Sequence, residues 1–306
     1  MTKTTLILGA GASRPFGFPT AVQLREIIVH RKPAQVQAIL TELGASGDLW
    51  EIATGNIIGR YGQDELTRLQ EEFFQSQTTS IDQFVQQREG AFTGVATYTL
   101  AAILLQCEAS AYLNRDWYGV LRDAILQNGL EHIPTARLQI VTFNYDRSLE
   151  VYLWGAIQHT FGLREGDAYQ RVEALRIHHV YGSLGELRNG SRGRVVPWAS
   201  PTEGHIRDAS TGLHLVRPLS EGLPAEVRDF MKSSEFVCFL GFGFWPENVS
   251  LVRGCVSDNT QVYSSNHRGL NDRLRFQVAS IFPKMMWGRE TAEQCMQEWN
   301  ILPRPS

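Results

Sequence analysis

Two short segments each carry a pair of polar side chains with the types and spacing for general acid–base work. Asn144 and Asp146 alternate in Thr142-Phe143-Asn144-Tyr145-Asp146, and His179 and Tyr181 alternate in His179-Val180-Tyr181-Gly182-Ser183. An extended chain turns alternate side chains to one face, so each pair is expected to look into one cleft. A neutral imidazole titrates near neutrality and suits removal of a proton from a water or hydroxyl, whereas a phenol is a poor base and a fair donor. His179 is therefore the favoured base, with Tyr181 its rival. The Asn144 amide can orient the reacting group or simply serve a turn. Asp146 can accept a hydrogen bond from a ligand, cap a helix beginning at Arg147, or do both.

Two glycine-rich turns complete the candidate set. Gly9-Ala10-Gly11-Ala12-Ser13 lets backbone approach a phosphate, whose charge is met by N–H groups at a helix start. The usual dinucleotide pattern has a third glycine at position 14, where this chain has Arg14, and a tight structural turn also explains the glycines. On the phosphate reading, a bulky residue at Gly11 is expected to block the ligand and leave the fold largely intact. Gly241-Phe242-Gly243-Phe244 and Ser265-Asn266 are the other candidate ligand turns, with Phe242 and Phe244 also suited to the core. Trp117 and Trp245 are read as packing residues.

The elements that must hold these groups are short buried strands. Thr5–Leu8, Leu138–Thr142, Arg176–Tyr181, Phe236–Leu240 and Thr260–Tyr263 each run directly into small or polar residues. In open parallel sheets the ligand crevice lies at the carboxyl ends of the strands, where these residues fall. Between the first two strands lies a long stretch of helical spacing, too long for a simple crossover. It includes a helix capped by Ser80 and one or two buried helices over Tyr98–Leu126. The expected architecture is α/β, a doubly wound, Rossmann-like, mostly parallel sheet. Residues 1–20 and 135–306 form that domain, and residues 21–134 form a separate helical insertion or lobe. Gly185 to Gly212 reads as loop.

Composition excludes several classes. Net charge is −3, so no global field favours nucleic acid or an anionic membrane. Lysine occurs only at positions 3, 32, 232 and 284, and the preponderance of arginine hints at subunit contacts, hence a homo-oligomer. The four cysteines lack zinc-knuckle spacing and a disulfide framework, which suits a reduced, cytoplasmic protein, and Cys238 reads as a buried inert thiol. The N-terminal apolar stretch is too short for a signal peptide, and Gln106 and Glu108 interrupt the apolar run Ala96–Leu105 before it reaches membrane-spanning length.

Taken in order, these motifs resemble the sirtuin family. Gly9-Ala10-Gly11-Ala12-Ser13 with Gly17-Phe18-Pro19-Thr20 is similar to that family's opening nucleotide loop. Thr142-Phe143-Asn144-Tyr145-Asp146 is similar to its Thr-Gln-Asn-Ile-Asp segment. His179 to Ser183 is similar to the strand end carrying its catalytic histidine, although Tyr181 occupies the position directly before Gly-Ser. Gly241-Phe242-Gly243-Phe244 and Ser265-Asn266 match its later glycine turn and its ribose-binding loop in position. The resemblance implies NAD⁺ as substrate. It places Ala10, Ser13, Pro19 and Thr20 beside phosphate and nicotinamide ribose, Asp146 on the carboxamide, and Ser265 and Asn266 on the adenosine ribose. Protein-deacylating sirtuins carry a zinc module between the histidine and the later turn; Gly185 to Ser234 contains no cysteine, so no metal is expected. The missing module and long insertion resemble the bacterial sirtuin-like proteins of antiviral defence systems, which hydrolyse NAD⁺. That resemblance implies an NAD⁺ glycohydrolase held off until infection, with a partner such as a hexameric DNA-translocase ATPase. Its rivals are an NAD⁺- or ADP-ribose-binding subunit without turnover, and a deacylase.

Overall fold

The computed structural model describes residues 2–29, 32–45, 48–188, 194–216, 222–265, 270–288, 291–299 and 301–302. Six parallel strands form one sheet in the order β3-β2-β1-β4-β5-β6, with β1 at Thr4–Leu8, β2 at Leu138–Thr142, β3 at Arg176–His179, β4 at Phe236–Leu240, β5 at Gln261–Ser264 and β6 at Met285–Trp287. This is the doubly wound order, in which strand connections reverse direction between β1 and β4.

The central strands are buried on both faces, which is why they read as near-continuous apolar runs. Alternate residues divide between two cores. Leu6, Leu8, Ile140, Cys238 and Leu240 face one, and Ile7, Val141, Val237 and Phe239 face the other. The second face is covered by the helices Ala225–Lys232, Pro246–Val252 and Asp272–Ile281.

Among the described residues the connection from β1 to β2 holds, after the short helix Ala10–Ser13, seven longer α-helices: Ala21–Val29, Pro33–Glu42, Leu49–Tyr61, Gln63–Ser76, Ile81–Gln87, Thr93–Ser110 and Asp116–Leu126. The insertion's buried residues, from Leu24 through Leu126, run into the same core as Leu6, Leu8 and Ile140. Thr93–Ser110 is buried along most of its length, and among the described residues no helix is long and apolar enough to cross a membrane.

A buried ion pair locks the insertion to the sheet. Arg147 Nη2 donates to both Glu108 carboxylate oxygens at 2.9 and 2.7 Å, while Arg147 Nη1 donates to the Val196 carbonyl at 2.5 Å. Glu108 also accepts the Ala199 N–H at 3.2 Å, so this one contact fixes an insertion helix, the end of β2 and the loop after β3. Within that loop region, expected to be irregular, Glu203–Ser210 is a helix capped by Thr202, whose hydroxyl accepts the His205 N–H. The short strand β6 also had no clear pattern in the sequence.

Candidate active site

The carboxyl ends of β1, β2 and β4 open into a cleft of about 620 Å³, a volume typical of small-ligand sites. It lies at the point where the strand order reverses. The turn after β1, the segment after β2 and the turn after β4 form its floor, and the insertion contributes Ser80, Asp82, Gln83, Gln86 and Asp116.

The two glycine turns are built against each other. Gly9 N–H donates to the Leu240 carbonyl at 3.0 Å, and Gly11 N–H to the Gly241 carbonyl at 3.0 Å. A Cβ on Gly11 would lie 2.9 Å from Gly241, and one on Gly241, whose φ is +56°, would lie 2.0 Å from the Ala12 nitrogen. This corrects the expectation drawn from the phosphate motif. The Gly9 and Gly11 amides are committed to β4, and a bulky residue at Gly11 would push on backbone instead of leaving the fold intact. Ser265 Oγ accepts the Gly241 N–H at 3.2 Å and so braces the later turn, while Asn266 lies outside the described residues. Phe242 and Phe244 are buried in the core, with Phe242 also reaching the cleft. Trp117 is buried and donates its indole N–H to the Ala12 carbonyl at 2.8 Å, pinning the first turn to the insertion. Trp245 is not the packing residue expected, for it stands exposed on the cleft lining.

Asn144 is the best-held polar group of the cleft. Its Nδ2 donates to the Gly9 carbonyl at 3.0 Å and to Ser13 Oγ at 2.9 Å, and its own N–H reaches Thr142 Oγ1 at 3.1 Å. The residue is 7 % exposed, yet Oδ1 has no partner among the described residues. A buried acceptor left empty costs free energy unless something fills it. Asp146 lies two residues on, in the same cleft. Its Oδ1 accepts the Ser148 N–H at 3.1 Å and also the Ser148 hydroxyl, so from the position before the N-cap Arg147 it satisfies the first N–H of the helix Ser148–Phe161. Burial raises its pKa above the ordinary aspartate range, against bonds from Ser148 and Ser13 that lower it. Ala10, Ser13 and Pro19 line the cleft as well. Thr20 lines it while capping Ala21–Val29, in a reciprocal box with Gln23.

His179 and Tyr181 do not share a face. β3 ends at His179, and the chain then turns, with Gly182 N–H meeting the His179 carbonyl at 3.4 Å. The alternation that would pair the two side chains stops there. Tyr181 enters the cleft and donates its hydroxyl to Asn248 Oδ1 at 2.7 Å. His179 instead lines a different cavity, with Glu150, Glu173, Asp208 and His214. Its Nδ1 meets the Asn144 carbonyl at 2.9 Å and its Nε2 meets Glu150 Oε1 at 2.6 Å. Both partners only accept, so the imidazolium, with two N–H donors, satisfies the site. Burial alone would lower the pKa, but the Glu150 carboxylate overrides it and the pKa lies above the ordinary histidine value. Both ring nitrogens are engaged and the ring lines the other cavity, so His179 is not brought into the cleft with Asn144 and Tyr181 but braces the Asn144 carbonyl.

Several cleft residues had no signal in sequence spacing, among them Asp82, Glu247 and Asn248. Asp82 looks like an ordinary acidic residue in a helix first turn, yet it lines the cleft and accepts the Tyr145 hydroxyl. Glu247 and Asn248 follow the β4 turn, so proximity to a strand end was their only pointer. The cysteines take no part. All four are buried and free, and burial pushes the Cys107 thiol up to about 12. Among the described residues no group of three His, Cys, Asp or Glu side chains could hold a metal ion.

No protein-family model matches the chain, and no curated protein is significantly similar to it. Fold and geometry alone define its class: a doubly wound α/β protein whose helical insertion helps wall a cleft at the switch point of the sheet.

Proposed function

We propose that the cleft binds NAD⁺ and hydrolyses its nicotinamide–ribose bond, releasing nicotinamide and ADP-ribose. The observation that carries this reading is the unpartnered Oδ1 of Asn144, an acceptor fixed by Gly9 and Ser13 at a strand end where a ribose hydroxyl or water would meet it. The charge of the cleft supports it too. Asp82, Asp116, Asp146 and Glu247 line it against the single cation Arg14 among the described residues. The nicotinamide ring is already positive, so its bond to ribose is weak, and nearby carboxylates favour the oxocarbenium-like charge that develops as it breaks. Asp146 is suited to accept the carboxamide N–H, Ser265 to stand near the adenosine ribose, and Arg14 to meet the pyrophosphate.

The sirtuin-like motif order adds the biological part of the reading: an effector of antiviral defence that depletes NAD⁺, acts as a homo-oligomer and is gated by a partner such as a hexameric DNA-translocase ATPase. A second reading, an NAD⁺- or ADP-ribose-binding subunit without turnover, draws on Tyr181, whose hydroxyl is engaged by Asn248 where the family has its histidine. Purified protein incubated with NAD⁺, with and without the candidate ATPase, separates the two. Release of nicotinamide supports hydrolysis. NAD⁺ binding with no nicotinamide under either condition supports the second reading, and no binding at all defeats both.

A further inference from the structure

With His179 outside the cleft, hydrolysis needs another proton acceptor, and the helical insertion supplies one. Asp82 stands in the first turn of Ile81–Gln87, a helix fixed by Ser80, whose hydroxyl accepts the Gln83 N–H at 3.2 Å. Its Oδ1 accepts the hydroxyl of Tyr145, the residue between Asn144 and Asp146 in the chain. Burial holds the Tyr145 phenol well above its ordinary pKa, so it stays protonated and acts as donor. The Tyr145 hydroxyl and a backbone hydrogen bond at Asp82 itself hold this carboxyl in a set orientation on the cleft lining.

The other acidic groups of the cleft are placed differently. Asp146 is held by three groups, the Ser148 N–H and hydroxyl on Oδ1 and the Ser13 hydroxyl besides, at the start of the helix Ser148–Phe161. Asp116 accepts the Trp117 N–H at 2.6 Å. The Glu247 carboxylate is held by no hydrogen bond among the described residues, and a base must be held to act. Burial raises the Asp82 carboxyl above the ordinary aspartate range, against the Tyr145 bond that lowers it, and a higher pKa makes a stronger base.

We propose that Asp82 is the general base of this cleft, with Tyr145 its positioning residue. The inference rests on the NAD⁺-cleavage reading. Asp82 takes a proton from water as the water oxygen bonds to C1 of the nicotinamide ribose. The C1–N bond breaks with its electron pair passing to the nicotinamide ring, and the proton then leaves Asp82 for solvent.

The test compares wild type, Asp82→Asn and Asp82→Ala, each checked for native circular dichroism, by nicotinamide release, NAD⁺ affinity and product analysis with and without sodium azide. Both variants should bind NAD⁺ much as wild type does and lose roughly 10²–10⁴-fold in turnover. Azide needs no base, so it should restore turnover to Asp82→Ala and give an azido-ADP-ribose. Wild type active with Asp82→Asn within about tenfold of it overturns the assignment of the base alone, as does a loss in Asp82→Ala that azide leaves unchanged. A wild type that releases no nicotinamide overturns the cleavage reading itself and the base with it.

Discussion

The Tyr181 hydroxyl donates to Asn248 Oδ1 at 2.7 Å and so ties the end of β3 to the helix that follows β4. Phe143 packs edge-on against the Tyr181 ring at 5.9 Å, which fixes the ring independently of its hydroxyl. Tyr181→Phe should therefore keep the fold and cost about 1 kcal/mol of stability, the net worth of one hydrogen bond. Nicotinamide release should fall by less than about tenfold; a loss of roughly 10³-fold would give the hydroxyl a direct part in the chemistry.

The His179–Glu150 pair should show in the pH dependence of stability. The folded pKa of His179 is raised, so its contribution is complete below the ordinary histidine value and disappears as pH rises through the folded value. The charged and titratable groups around it are Glu150, Asp146, Arg147, Glu173, Glu186, Arg194, Asp208 and His214. Urea unfolding of wild type and His179→Gln should differ most at about pH 6, with the gap closing as pH rises. A gap that widens with pH would mean that the ring is held neutral.

Replacing Gly241 should damage the fold before it affects any ligand. An alanine there faces both a left-handed φ and the Ala12 nitrogen at 2.0 Å, with a cost of about 3 kcal/mol or more. Gly11→Ala presses on Gly241 from the other side and should cost about 1–3 kcal/mol. Denaturant midpoints check both. An unchanged midpoint in Gly11→Ala would show that the turns can separate.

Breaking the Arg147–Glu108 pair should be severe, because both side chains are almost fully buried, at 2 % and 0 % exposure. Glu108→Ala leaves a guanidinium without its carboxylate and is expected to lose about 3–5 kcal/mol. A thermal shift of only a degree or two would mean that water reaches Arg147.

Much of the fold was legible because its strands are buried on both faces. Leu138–Thr142 and Phe236–Leu240 are strands at the bounds their apolar runs suggest, and Ser80 caps its helix as its position implied. The strand β6 was not legible, since three residues at a sheet edge leave no period to read. Asn144 and Asp146 reach one cleft, but Phe143 and Tyr145 line it too, so the whole segment after β2 and not one face of a strand delivers them; His179 and Tyr181 part because β3 ends and the chain turns at Gly182. Asp82 enters the cleft from across the insertion, a tertiary contact with Tyr145 that local spacing cannot encode.

The most direct measurement is a crystal structure of the protein with NAD⁺ or ADP-ribose bound. It should show the ligand in the cleft between the Gly9–Ser13 and Gly241–Phe244 turns, with a hydroxyl of the ribose proximal to nicotinamide within hydrogen-bonding distance of Asn144 Oδ1. Ligand bound elsewhere, or bound here with Asn144 Oδ1 still empty, would contradict the account.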